Sequence, residues 1–206
     1  TNFRNMFNGC QSLMYLDVKN FDTYNAINME GMFRGLVLLT SLDVSRFNNT
    51  KVKYMGSMFR RNKNLKALNL SNFKTNNVED MFYMFEHCEN IAILDLSNFE
   101  TEKVNGMLGM FSDCYSLTSI KFGEKFNTVN VKYMDEMFFN CTALQKLDLS
   151  SFNTYHVEFM ERMFANCNSL TSINLGSNFR TSNLRYASSM FRNCFKLKSI
   201  DLSKFA

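Results

Sequence analysis

Six cysteines are the most reactive side chains in this sequence, and their spacing argues about what they do. Cys10, Cys88, Cys114, Cys141, Cys167 and Cys194 lie 26 or 27 residues apart, or three times 26 between the first two. A zinc site or a redox pair needs two thiols within a C-x-x-C spacing or beside a histidine pair, and neither occurs here. The remaining occupants of the same slot are Leu36 and Asn62. A position that accepts Cys, Leu and Asn reads as a small buried site beneath a helix, where a free thiol acts as a small hydrophobe. Reduced structural thiols are the expectation, with an occasional disulfide between neighbours as the alternative. Only His87 and His156 could serve as bases; His87 is expected to stand alone, off the face of the slot. No nucleophile elbow, phosphate loop or pair of carboxylates in divergent settings accompanies them. The chain is therefore expected to be no enzyme and to carry no cofactor or metal.

Charge offers a second set of candidates. A net charge of +4 and a pI near 8.7 fall short of the basic face that nucleic acid requires. Locally the balance is uneven. Residues 51–76 carry seven basic side chains and no acid, whereas residues 77–102 carry seven acids and no Lys or Arg. Lys53, Arg60, Arg61 and Lys63 on one side and Glu79, Asp80 and Glu86 on the other either pair between copies, each pair worth little at an exposed surface, or form a docking stripe for a partner. Tyr133, Phe159 and Tyr186, preceded by Tyr54 in the same slot, are expected to be half-exposed, packing between helices or forming a contact patch. An outward column runs Asp17, Asp43, Asn69, Asp95, Lys121, Asp148, Asn174 and Asp201. Calcium at Asp17 and Asp43 is conceivable there, with hydrogen bonding to adjacent turns preferred and Lys121 placed to pair with Asp95 and Asp148.

All of these residues are placed by a repeat. The skeleton V-x-x-M-x-x-M-F-x-x-C-x-x-L-x-x-L-D-L-S-x-F-x-T, clearest from Val78 to Thr101, returns eight times with a period of 26 or 27 residues, the mark of a stacked solenoid. Its slots absorb 14 of the 15 Met and 16 of the 22 Phe, so these residues are core and not a soft-metal or groove-lining set. Val78, Met81, Met84, Phe85 and Cys88 fall on one side of a helix of about three turns. Leu94, Asp95 and Leu96 alternate as a short strand does. A recurring Thr, such as Thr101, suits a turn or an N-cap. Gly123 and Gly176 accompany one-residue insertions, where a positive φ would bulge the extra residue out. The expected fold class is α/β: a solenoid of one short strand and one helix per repeat, forming a single domain over residues 1–206. The chain opens and closes within repeat grammar, so it is expected to be a fragment of a longer protein. No apolar run approaches the ~18 residues of a membrane span, and the opening residues do not show the charged, apolar and small-residue order of a signal peptide.

The L-x-x-L-x-L signature of Leu65, Leu68 and Leu70, or of Leu144, Leu147 and Leu149, resembles leucine-rich repeats. One slot departs from the common type: Phe stands where Asn or Cys usually follows the last Leu. The fuller motif looks like the BspA-like leucine-rich repeats of bacterial surface proteins. That resemblance, which spans essentially the whole chain, implies a secreted or lipid-anchored protein found at the cell surface or outside the cell. It further implies adhesion to host or matrix proteins or to other cells, through a protein or glycan ligand. Membrane contact would come only through an anchor outside these residues. A secreted effector or an intracellular scaffold using the same repeat surface is the alternative. The motif is structural and assigns no ligand residues.

Overall fold

The computed structural model describes residues 1–203 and Phe205. Six short strands are present among them: β1 (Ser41–Asp43), β2 (Ala67–Asn69), β3 (Ile93–Leu96), β4 (Ser119–Phe122), β5 (Lys146–Asp148) and β6 (Ser172–Asn174). They pair in parallel, β1 with β2, β3 with β4 and β5 with β6, each in the register of the repeat: Leu42 faces Leu68, Leu94 faces Ile120, and Leu147 faces Ile173. The strand reading of the L-D-L segment therefore holds.

The helix does not. No helix occurs among the described residues, and the α/β assignment is corrected to a solenoid of short strands and turns. In the fourth copy Met84 N–H donates to the Met81 carbonyl, Glu86 to Tyr83 and Cys88 to Phe85, so the segment is a chain of tight turns. The alternate N–H groups leave the copy altogether: those of Met81, Tyr83, Phe85 and His87 donate to Gly106, Leu108, Met110 and Ser112 of the next. A helix would close these bonds on itself. Tyr83 and His87 have φ of 57° and 56°. A positive φ at the third residue of the Met81–Met84 and Phe85–Cys88 turns, with none at the second, marks these two as type II turns; the Tyr83–Glu86 turn between them has no positive φ at its third residue.

Both paths bury the same residues, which is why the apolar spacing did not tell them apart. Val78, Met81, Met84, Phe85 and Cys88 are all 0% exposed. Phe7, Phe33, Phe59, Phe85, Phe111, Phe138, Phe164 and Phe191 form one ring stack with centroids 5.3–5.9 Å apart. A second parallel ladder takes one residue per copy, from Asn2 through Asn28, Tyr54, Asp80, Gly106, Tyr133 and Phe159 to Tyr186.

The Thr slot also differs from expectation. Thr101 Oγ1 accepts the N–H of Asn127 and donates to the carbonyl of the same residue, and Thr128 treats Asn153 in the same way. It links copies and caps no helix. At the insertions, Gly176 has the anticipated positive φ of 69°. Gly123 does not; there a Cβ would lie 2.0 Å from the Ser97 carbonyl oxygen, so close backbone approach is what demands glycine.

Candidate binding surface

The ladders turn sequence slots into straight columns of side chains. Cations and carboxylates one copy apart are thereby brought within reach. Lys53 pairs with Glu79 at 2.9 Å and Lys63 with Glu89 at 3.1 Å. Arg60 engages both carboxylate oxygens of Glu86, Nη2 lying 2.8 Å from Oε1. Its guanidinium also sits over the Tyr83 ring, 4.7 Å from the centroid. The basic and acidic copies thus meet through inter-repeat pairs. Arg61 extends into solvent from a residue with φ of 61°, and its backbone N–H donates to Glu86. Asp80 is half-buried on the bridge ladder, its Oδ1 accepting the Phe82 N–H, and burial raises its carboxyl above the usual range.

Tyr133, Phe159 and Tyr186 are consecutive rungs of that same ladder. Their rings stack with centroids 5.2 Å apart, so ring faces are covered by each other and ring edges meet solvent. Phe82 extends the column: its ring lies over Gly106, where a Cβ would sit 2.0 Å away, and meets Tyr133 edge-on at 6.1 Å. Lys53 and Glu79 flank this ladder and Asp80 is one of its rungs, whereas Arg60, Arg61, Lys63 and Glu86 lie on the turns. The ten candidates therefore form two groups and no single patch.

His87, which the sequence led us to expect alone, joins the turn group instead, together with residues the sequence reading passed over. His87 lies between two carboxylates, Nε2 at 3.6 Å from Asp113 and Nδ1 at 3.5 Å from Glu89. Asp113 further accepts the Tyr115 hydroxyl and the Asn140 amide, and amides then run from Asn166 to Asn140 and from Asn193 to Asn166. The available signal was one slot reading Gly9, Gly35, Arg61, His87, Asp113, Asn140, Asn166 and Asn193, rich in the residue types that tolerate a left-handed backbone. Arg34 shares its slot with Arg60.

On the strand face the acidic column hydrogen-bonds the adjacent turns, as with Asp95 and Ser97 N–H at 3.0 Å. Those bonds hold the carboxyls of Asp17, Asp43, Asp95 and Asp148 below their usual range. Asp17 is further paired with Lys19 at 2.9 Å, and Lys121 meets Asp95 at 3.4 Å. A cleft of about 530 Å³ opens beside the first insertion, lined by Lys74, Glu100, Lys121, Phe122 and Lys125. Among the described residues, no group of three His, Cys, Asp or Glu is placed to hold a metal ion. All six cysteines are free. Each thiol from Cys88 to Cys194 donates to the carbonyl of a Phe in the preceding copy, Cys88 to Phe59 and Cys114 to Phe85 among them.

Comparison with known proteins gives a similar solved structure and a family. A crystal structure of a leucine-rich repeat protein from Bacteroides ovatus ATCC 8483 is similar at 21% identity with a TM-score of 0.42, covering 95% of this chain and 56% of that one. This chain thus spans little more than half the length of that relative. No curated protein matches the chain. A family profile matches residues 1–123 and again 87–205. These two overlapping matches take in nearly the whole repeat array, and the chain belongs to the family described as Mycoplasma protein of unknown function, DUF285.

Proposed function

We propose that this chain is a non-enzymatic binding module of BspA-like kinship, carried by a secreted or cell-surface protein and mediating adhesion to host or matrix proteins or to other cells. One observation carries the reading: the inward slots barely change from copy to copy, while outward positions on the same ladders vary in charge and ring content, as in the run Asn28, Tyr54, Asp80 and Gly106. A rigid array with a fixed core and a varied surface suits recognition. Beads coated with the purified chain should be retained on fibronectin, laminin, collagen or an epithelial monolayer above beads coated with the unfolded chain. Retention no greater than that of the unfolded-chain beads on all four surfaces would overturn the adhesive role. The free thiols favour a second reading, an intracellular scaffold, because exposed Cys10 is unpaired and oxidising compartments favour disulfides.

A further inference from the structure

Within the turn group, positive charge is in excess around Arg60. Arg4, Lys53, Arg60 and Lys63 each pair with a carboxylate in the next copy. Arg34 and Arg61 do not: no carboxylate among the described residues lies within ion-pair distance of either guanidinium, although both are near Arg60. Arg34 is half-buried, and its basicity is lowered first by that burial and then by the charges of Arg60 and Arg61, with Glu86 the single opposing acid. Three guanidinium groups therefore share one carboxylate. Beside them the surface is bare, since the slot that holds Arg61 holds Gly35 and Gly9 in the two preceding copies, and a Cβ at Gly9 would meet nothing within 4 Å.

We propose that Arg34 and Arg61 bind a short acidic peptide segment of a partner protein, laid over the shelf at Gly35. A guanidinium fork takes a carboxylate through two parallel hydrogen bonds. The neighbouring Arg60–Glu86 pair already adopts that arrangement. Two carboxylates on alternate residues of an extended peptide stand roughly 7 Å apart, a span suited to two arginines in adjacent copies. Copy three carries seven basic residues and no acid, and the fourth copy, next to it, presents Glu79, Glu86 and Glu89. A long polyanion such as a sulfated glycan would run onto those acids, whereas a peptide with two acidic residues ends before them.

The proposal rests on the reading of the chain as a binding module and is tested apart from it. The probe is a fluorescein-labelled peptide carrying two glutamates separated by one glycine, measured by fluorescence anisotropy at low salt, with its two-glutamine counterpart as control. Binding should weaken about tenfold for the glutamine peptide and by a similar factor for the Arg34→Asn/Arg61→Asn protein. Asn8 and Asn140 occupy these two slots in other copies, so the variant should melt as the parent does. Arg61→Asn alone, at an exposed position, should give an intermediate loss. Glu86→Gln should tighten binding by releasing Arg60. Equal binding of both peptides, or no change in the double variant, would overturn the assignment. Tighter binding of a heparin-type oligosaccharide than of the glutamate peptide would overturn it in favour of a polyanion site. Absent peptide binding with bead retention preserved rejects the acidic-peptide site alone; loss of both rejects the module reading as well.

Discussion

Arg60 and Glu86 stand 26 residues apart in sequence and face each other across one copy boundary, joined by two hydrogen bonds and retaining only 20% and 11% of their side-chain exposure. Lys53 and Glu79 share the same sequence separation but keep 50% and 37%. Burial, not charge, should separate the two pairs energetically. Removing one partner of the shielded pair leaves a charge with little water, so Arg60→Gln is expected to cost about 2 kcal/mol. Lys53→Gln should change stability by less than about 0.5 kcal/mol. Urea denaturation of the four single and two double variants, read as double-mutant cycles, measures both couplings. Equal coupling energies would contradict the argument.

The turn segment gives a test in which two conformations predict opposite signs. Ser57 has φ of 57° at the third position of its turn. There a β-branched side chain is disfavoured by about 2 kcal/mol, and glycine relieves strain. Were the segment helical, glycine would cost about 1 kcal/mol and valine less. Ser57→Gly should therefore be neutral or stabilising and Ser57→Val destabilising in equilibrium unfolding; the reverse order would restore the helix.

This contrast also shows what was legible in the sequence. Burial could be read from the repeat alone: Met55, Met58 and Phe59 are core in the structure as their slots implied. The backbone path could not, because apolar offsets of three and four residues are produced by a helix and by a succession of tight turns alike. The distinguishing signal lay in outward residues such as Gly35, Asn140 and Asn166, which make no core contact and look like ordinary variation until aligned as one slot. Ion pairing between the basic and acidic copies was foreseeable from the period. The isolation of Arg34 and Arg61 was not, since it depends on which cations the ladder brings opposite a carboxylate.

The thiols make stability depend on alkaline pH. Burial pushes the Cys88 thiol up to about 12 and holds those of Cys114 and Cys141 well above their ordinary value. In the unfolded chain a thiol loses its proton near pH 8.5 to 9. Between that pH and the folded value the unfolded state binds fewer protons, so stability falls as pH rises, and below pH 8 the thiols contribute no slope. Each buried thiol adds up to about 1.4 kcal/mol per pH unit. Urea midpoints at pH 7, 9 and 10 should fall progressively, most steeply across the last two, and less in Cys88→Ala. In the native protein exposed Cys10 should react with a thiol reagent first, with Cys88, Cys114, Cys141 and Cys167 reacting only on unfolding.

Asn62 is the one slot in which the thiol column is replaced by an amide. Its Oδ1 accepts the N–H of Leu36 at 2.8 Å, but its Nδ2 is buried without a partner. A cysteine there would keep an acceptor for Leu36, as Cys88 does for the N–H of Asn62, and could donate to the Phe33 carbonyl as Cys88 donates to Phe59. Asn62→Cys removes an unsatisfied donor and is expected to stabilise by about 1 kcal/mol, a rise of about 2–4 °C in the melting midpoint for a chain of this size. Asn62→Asp places a carboxylate in a site that is 0% exposed and should lower the midpoint sharply. Should Asn62→Cys melt below the parent, the unpaired amide would not be the weak point of the stack.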